Sequence, residues 1–179
     1  MKKIVLFVSV SLFAFGSSFS QNWERYKSEK FAFIVNFPSE PTESVQKVST
    51  AIGELDMNMF MYQPTTLADD NAVYSVIRSE YPEEQFKDAT DESNDNILDG
   101  AVNGAVNNVN GTLLYDKKTK HNGYPGRSIK IQISAGYLYI NAYLVNNMMY
   151  ITQVICLIDK DGNDSISRFL NSFDILKVK

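Results

Sequence analysis

The sequence contains little of what covalent or metal chemistry most often uses. Its 179 residues include one cysteine, Cys156, and one histidine, His121. A single cysteine excludes an internal disulfide, so packing has to stabilise the folded chain. A zinc hydrolase helix carries two histidines four residues apart, so a single histidine excludes that class of enzyme.

The local sequence around both residues also argues against catalysis. Cys156 lies inside an apolar segment, where burial raises the pKa of a thiol and leaves it unreactive, so we expect it to pack in the core. His121 precedes Asn-Gly, a pair typical of turns, and we expect it to be solvated. No Gly-x-Ser-x-Gly turn occurs after the first 20 residues. We therefore predict no catalytic residue and no cofactor, and a hydrolase is the least favoured function.

One acidic turn has a partial likeness to a calcium-binding loop. Asp159, Asp161 and Asn163 alternate as calcium ligands do. The sixth position is Asp164 where glycine is needed, and the twelfth is Leu170 where a bidentate glutamate is needed. A turn that caps the start of a helix explains the same residues, and we predict no metal site.

Long apolar runs are confined to the N-terminus. Lys2 and Lys3 precede an apolar run of 12 residues, and small and polar residues come after it. This order is typical of a cleavable signal peptide, whereas a bilayer-spanning helix needs about 20 apolar residues. We predict a signal peptide over residues 1–20, cleaved after Ser20 or, alternatively, after Ser18.

The mature chain, residues 21–179, is predicted to be one exported domain, periplasmic or secreted and not inserted in the membrane. Removing Lys2 and Lys3 changes the net charge from −4 to −6. A chain of that charge is repelled by phosphate backbones and anionic lipid surfaces, so nucleic-acid binding is not expected.

Alternation of apolar and polar residues predicts an antiparallel sheet of roughly six to eight strands. The predicted strands cover residues 31–37, 43–50, 55–61, 71–78, 128–133, 137–145 and 149–158. The polar run 43–50 is predicted to be an edge strand. The last two strands are apolar on both faces, so both faces of the sheet must be covered.

Two amphipathic segments are predicted to be the covering helices. One has its apolar stripe between Ile97 and Val109, with Asp91 or Ser93 as its cap, and the other begins around Asn163 and Asp164. A helical turn is predicted over 23–26 and a short last strand over 175–178. The fold class is therefore α+β, an α/β/α sandwich on a mostly antiparallel sheet.

Two surfaces are candidates for binding. The acidic segment, defined as residues 80–99, contains eight acids and one base. It is predicted to dock a protein partner through Glu83, Glu84, Asp88 and Tyr81, although a solvated loop and the first turn of a helix explain the same charges. Alternatively, a small ligand or cation is predicted to bind in the crevice between sheet and helix near Tyr124 and Arg127. The basic run 117–120 is expected in an exposed turn.

Aromatics, prolines and glycines also recur in an order that resembles the PsbP/Mog-like fold family, which includes bacterial exported members of unknown function. The stretches that carry this resemblance are Trp-Glu-Arg-Tyr-Lys-Ser at 23–28, Phe-Ala-Phe-Ile-Val-Asn-Phe-Pro at 31–38, Ala-Val-Tyr-Ser-Val at 72–76, Tyr-Pro at 81–82, Tyr-Pro-Gly-Arg at 124–127 and Ser-Arg-Phe-Leu-Asn-Ser-Phe at 167–173.

The resemblance implies an α/β/α sandwich on a mostly antiparallel sheet. Members of the family include an extrinsic photosystem subunit and a nuclear cofactor of the Ran GTPase, both of which act by binding and have no catalytic centre. No functional residue carries over, because the matched positions mark the fold. The favoured function is non-enzymatic binding of an unknown envelope protein; the alternative is binding of a small ligand or cation.

Overall fold

A computed structural model describes residues 23–50, 53–65 and 69–176 of the chain. The predicted signal peptide over residues 1–20 lies outside these ranges. Within them the strands are β1 (Glu24–Ser28), β2 (Phe33–Phe37), β3 (Thr42–Thr50), β4 (Gly53–Tyr62), β5 (Asn71–Glu80), β6 (Thr112–His121), β7 (Tyr124–Ile133), β8 (Gly136–Val145), β9 (Met148–Leu157) and β10 (Asp174–Ile175), and the α-helices are α1 (Asp91–Asn108) and α2 (Asp164–Ser172).

Seven strands form the main sheet, in the order β3-β4-β5-β9-β8-β7-β6, and every neighbouring pair is antiparallel. The polar strand β3 lies at an edge, as predicted. The strands β8 and β9, which are apolar on both faces, lie side by side inside the sheet. A second sheet has the order β1-β2-β10 and is also antiparallel.

The main sheet separates two hydrophobic cores. On the α1-side face, helix α1 packs on β7 and β8, and the core is Leu98, Val102, Ile129, Ile131, Leu138, Ile140, Ala142, Leu144 and Met149. On the α2-side face, helix α2 and the small sheet pack together, and this core includes Phe33, Val35, Phe37, Phe60, Tyr74, Val76, Tyr150, Val154, Cys156 and Phe169. The predicted α/β/α sandwich is confirmed, with a small sheet added to one outer layer.

The N-terminal prediction of a helical turn over 23–26 is wrong, because this segment forms strand β1. β1 pairs with β2, so the hydrogen-bonding groups of its backbone find partners there. The segment 31–37 also belongs to this small sheet rather than to the main one. Trp23 packs edge-on against Tyr74, with 5.6 Å between the ring centroids.

The prediction of an exposed turn over 117–120 is also wrong. These residues lie in β6, the second edge strand of the main sheet, because its pairing with β7 continues to His121↔Tyr124. The turn falls one step later, at Asn122 and Gly123, whose φ angles are 51° and 88°. Lysines on an edge strand protect it from pairing with another chain.

Both α-helices begin at side-chain caps. Thr90, rather than Asp91 or Ser93, caps α1: the Ser93 N–H donates to Thr90 Oγ1 at 3.2 Å, and the Thr90 N–H donates to Ser93 Oγ at 2.8 Å. Asn163 caps α2, as predicted. The predicted last strand is present only as β10, and its residues 177–178 lie outside the described ranges. Neither described helix has both the length and the apolarity that crossing a bilayer requires.

A candidate binding groove

Helix α1 covers only part of its face of the main sheet. It packs on β7 and β8, whereas β9, β5, β4 and β3 lie beyond these two strands in the sheet. A groove of about 620 Å³ runs between the helix and this part of the sheet. Its far side is Val48 of β3, whose register partner Leu55 also lines it.

Small residues of α1 form the helical wall of the groove. Gly100, Ala101, Gly104 and Ala105 recur at four-residue spacing, so they lie on one side of the helix. A Cβ atom added at Gly100 or Gly104 would meet no atom within 4 Å. The groove is therefore wide enough for larger side chains, and the glycines keep it open.

Apolar side chains of four strands form the floor. They are Leu55 and Met57 of β4, Ile77 of β5, Leu138 and Ile140 of β8, and Met149 and Ile151 of β9. Among the described residues that line the groove, Tyr81 has the only titratable side chain, and burial raises the pKa of its phenol. The lining therefore offers apolar contact and no group that exchanges protons near neutral pH.

Tyr81 lies where the acidic segment meets the groove. Its backbone is held by Asn147, which accepts from the Tyr81 N–H and donates its side-chain amide to the Tyr81 carbonyl, both at 2.8 Å. Gln85, in the short 3-10 helix Glu83–Phe86, also lines the groove. Glu83, Glu84 and Asp88 are exposed and lie outside the lining, close to it in sequence.

Three of the eight acids of this segment form ion pairs within the described part of the chain. Glu80 pairs with Arg78, and Asp95 and Asp99 pair with Lys118 and Arg127. None of the ion pairs among the described residues involves Glu83, Glu84 or Asp88. Lys87, which lies among these acids, is exposed and also takes part in none of these ion pairs, so the stretch that follows Tyr81 keeps a net charge of −2 from three acids and one base.

Tyr124 and Arg127 lie on opposite faces of the main sheet. Tyr124 packs against the α2-side core. Arg127, whose side chain is 3% exposed, faces α1 and donates to Asp99, with Asp95 at 3.5 Å and Asp116 at 3.7 Å. Burial opposes ionisation of this guanidinium, but the three carboxylates raise its pKa. The structure does not bring the two side chains together, and the binding of a ligand by them stays a prediction.

His121 is not the solvated residue that its sequence context predicts. Its side chain is 23% exposed, and its ring lies 4.9 Å from that of Tyr143 and 5.8 Å from that of Phe173, measured between centroids. Nε2 is 3.1 Å from Asp174 Oδ1. It lines a polar cleft of about 570 Å³ together with Arg25, Asn36, Asn122, Asn171, Ser172 and Asp174.

The acidic turn 159–165 is occupied by contacts within the chain. Asp161 accepts from Lys130 at 2.7 Å and from the Tyr139 hydroxyl, while Asn163 caps α2. Burial opposes ionisation of Asp161, but these hydrogen bonds lower its pKa overall. The predicted capped turn is confirmed.

Cys156 lies fully buried in the α2-side core, as predicted. Burial raises the pKa of its thiol. A buried, protonated thiol is a poor nucleophile.

Of the residues that line the groove, only Tyr81 was predicted from the sequence as a contact residue. Gly104 in the middle of a helix was the available signal, because glycine there lowers helix propensity and usually has a packing or functional reason. The floor residues gave no comparable signal, since their apolar pattern indicates burial and does not show which part of the face a helix covers.

No model of a known protein family matches this chain, and neither does any curated protein. Among solved structures, the solution structure of cyanobacterial PsbP (CyanoP) from Synechocystis sp. PCC 6803 is similar to it. The two chains are 14% identical with a TM-score of 0.55, over 92% of this chain and 98% of the other. This chain therefore has a PsbP-like fold, as the resemblance in sequence implied.

Proposed function

We propose that this protein is an exported, non-enzymatic domain that binds a protein partner in the cell envelope. The observation that carries the proposal is the apolar groove beside α1, together with the negative charge at its Tyr81 end. Leu55 and Ile77 of the floor are only 7% exposed, so the apolar side chains that a partner would cover are the half-buried Val48, Met57 and Ile151. A cluster of partly exposed apolar side chains marks a contact surface. The order of charged, apolar and small residues at the N-terminus supports export.

The composition of the groove supports binding rather than catalysis. Its lining holds one titratable side chain, Tyr81, and general acid–base chemistry needs groups that titrate near the working pH. Methionines such as Met57 and Met149 adapt to differently shaped apolar side chains, which suits a contact surface. The carboxylates of Glu83, Glu84 and Asp88 favour a partner that carries basic residues beside its apolar ones.

Filling the groove tests the proposal. Gly104→Leu places a large side chain in open space and replaces a poor helix former, so the variant is expected to fold. Asn103→Leu is the matched control, because Asn103 is exposed and does not line the groove. In affinity capture from envelope extracts, a specific partner is expected with the wild type and Asn103→Leu, and at least ~10-fold less of it with Gly104→Leu.

Charge reversal tests the acidic end separately. Glu83→Lys, Glu84→Lys and Asp88→Lys, combined in one variant, are expected to reduce capture of the same partner, most strongly at low salt. Equal recovery with wild type, groove variant and charge variant would remove this surface from consideration.

The volume of the groove also suits a second candidate function, because about 620 Å³ lies within the range of small-molecule sites. Thermal shift against apolar metabolites checks it: a ligand at 100 times its Kd stabilises by about 2.7 kcal/mol. A shift seen with the wild type and lost in Gly104→Leu would favour this alternative over a protein partner.

A further inference from the structure

The part of the sheet left uncovered beside α1 has room for one α-helix. Strands β9, β5, β4 and β3 lie beyond the two strands on which α1 packs. Neighbouring strands are about 4.8 Å apart, so four strands present about 19 Å of surface. A helix with its side chains is about 10–12 Å wide. One helix fits there alongside α1, and a second does not.

The wall that α1 presents to this space suits a helical neighbour. Gly100, Ala101, Gly104 and Ala105 are the smallest residues of the helix and all lie on the groove side. Packed helices lie 8–10 Å apart between axes, depending on the side chains at the contact, and small residues permit the shorter distances. A helix laid in the groove could therefore contact both α1 and the floor.

The floor and the rim define what such a helix must carry. The floor, with Met57, Ile77 and Ile151, requires an apolar stripe at three- and four-residue spacing. The rim residues Asn96 and Asn108 belong to α1 and are polar, so the outer face of the bound helix is expected to be polar as well. Such a segment is an amphipathic helix.

Charge determines which basic or acidic residues suit this helix. At the Tyr81 end, Glu83, Glu84 and Asp88 are exposed and take part in none of the ion pairs among the described residues. Lysine or arginine at the corresponding end of the bound helix would meet them, with an attraction that salt weakens.

We infer that the groove receives a basic amphipathic α-helix of a partner protein, laid beside α1 with its apolar stripe on Met57, Ile77 and Ile151. This inference rests on the proposed function and names the chemistry of the partner.

The test uses a synthetic peptide and fluorescence anisotropy. The probe is a labelled helical peptide of about 18 residues, with leucines at three- and four-residue spacing and lysines elsewhere, as long as α1 at about 27 Å. Its controls are a scrambled peptide of the same composition and a peptide with glutamate in place of lysine. Both controls are expected to bind the purified full chain at least ~10-fold more weakly than the probe.

Variants of the protein locate the binding. Gly104→Leu is expected to weaken probe binding at least ~10-fold, while Asn103→Leu stays within about 2-fold of the wild type. The combined variant Glu83→Gln, Glu84→Gln and Asp88→Asn is expected to weaken binding about 3-fold at low salt, with the difference vanishing at high salt. Gly100→Leu, also in open space, provides a second filled groove if Gly104→Leu does not fold.

The outcomes separate the inference from the proposed function. Equal binding of the scrambled peptide, or probe binding that neither filled-groove variant changes, overturns the inference of a helix. Loss of partner capture in Gly104→Leu without any specific peptide binding overturns the inference and keeps the proposed function. A dimer in light scattering that Gly104→Leu dissociates would assign the groove to a second copy of this chain and also overturn it.

Discussion

The clearest departure from local expectation at the scale of single residues is His121. Its neighbours Asn122 and Gly123 form a turn, as the sequence indicates, but its ring packs against those of Tyr143 and Phe173, which also stack on each other. Asp174 Oδ1 accepts from Asn122, from the Ile175 N–H and, at 3.1 Å, faces His121 Nε2. The carboxylate therefore ties the β6–β7 turn to β10.

These contacts predict an acid-dependent contribution of Asp174 to stability. Burial opposes ionisation, but hydrogen bonds from Asn122, the Ile175 N–H and His121 lower the pKa of this carboxyl below its usual value. A group whose pKa is lower in the folded state stabilises the fold above its unfolded pKa of about 4, and this contribution is lost as pH falls through the folded value. Asp174→Asn is therefore expected to lose less stability than the wild type between pH 5.5 and pH 3.

Urea unfolding at the two pH values measures this difference. Asp159→Asn is the matched control, because Asp159 is exposed and has no ion pair among the residues that the structure describes. Its pH dependence is expected to match that of the wild type. If the free energy of unfolding falls by the same amount between the two pH values in Asp174→Asn and in the wild type, the contacts of Asp174 contribute nothing to the pH dependence of stability.

At the scale of a single element, helix α1 combines a buried apolar side with a side made of small residues. It holds Leu98 and Val102 in the core, yet its groove side consists of small residues, with glycine at 100 and 104. Glycine inside a helix is less favourable than alanine because it loses more backbone freedom on folding. Helix propensity is therefore lowest at the two glycine positions that face the groove.

Two glycine substitutions are expected to have opposite effects. Gly104→Ala adds a methyl group in open space and should raise the free energy of unfolding by about 0.5–1 kcal/mol. Gly126→Ala in β7 should lower it, because the new Cβ would overlap the Ala142 carbonyl oxygen of the neighbouring strand. Chemical denaturation measures both, and destabilisation by Gly104→Ala would show that the helix does not tolerate a side chain there.

At the scale of the whole molecule, the main sheet is shared by two cores. Leu98 is fully buried on the α1-side face, while Trp23, the only tryptophan, packs on Tyr74 on the other. Because β8 and β9 contribute alternate side chains to both cores, loss of one core removes support from the other. Small single domains usually unfold in one cooperative step.

Leu98→Ala tests this coupling. Truncating a buried leucine costs about 2–5 kcal/mol, and the urea midpoint seen by Trp23 fluorescence is expected to fall together with the midpoint from far-UV circular dichroism. Leu157→Ala is the control, because Leu157 is 42% exposed at the end of β9. A fluorescence midpoint that stayed in place while the dichroism midpoint fell would show that the two faces unfold independently.

Periodicity along the chain was enough to predict the fold class, the edge position of β3, the buried Cys156 and the start of α2 at Asn163. It failed at β1 and β6, because these segments have few buried residues and therefore show little apolar alternation. They are strands because their backbones pair with β2 and β7. Tyr81 was predicted to contact a partner, and the structure places it in the lining of the groove. That it contacts a partner there is a proposal. The glycine wall of that groove was not predicted.

The sequence by itself determined which segments are buried on one face and which on both, since apolar spacing reflects the geometry of strand and helix. Only the tertiary structure determined where α1 lies across the sheet. It packs on β7 and β8, and this position leaves β9, β5, β4 and β3 beside the groove. Lateral position depends on contacts between residues distant in the chain, such as Arg127 with Asp99 and Leu98 with the sheet, which no local pattern encodes.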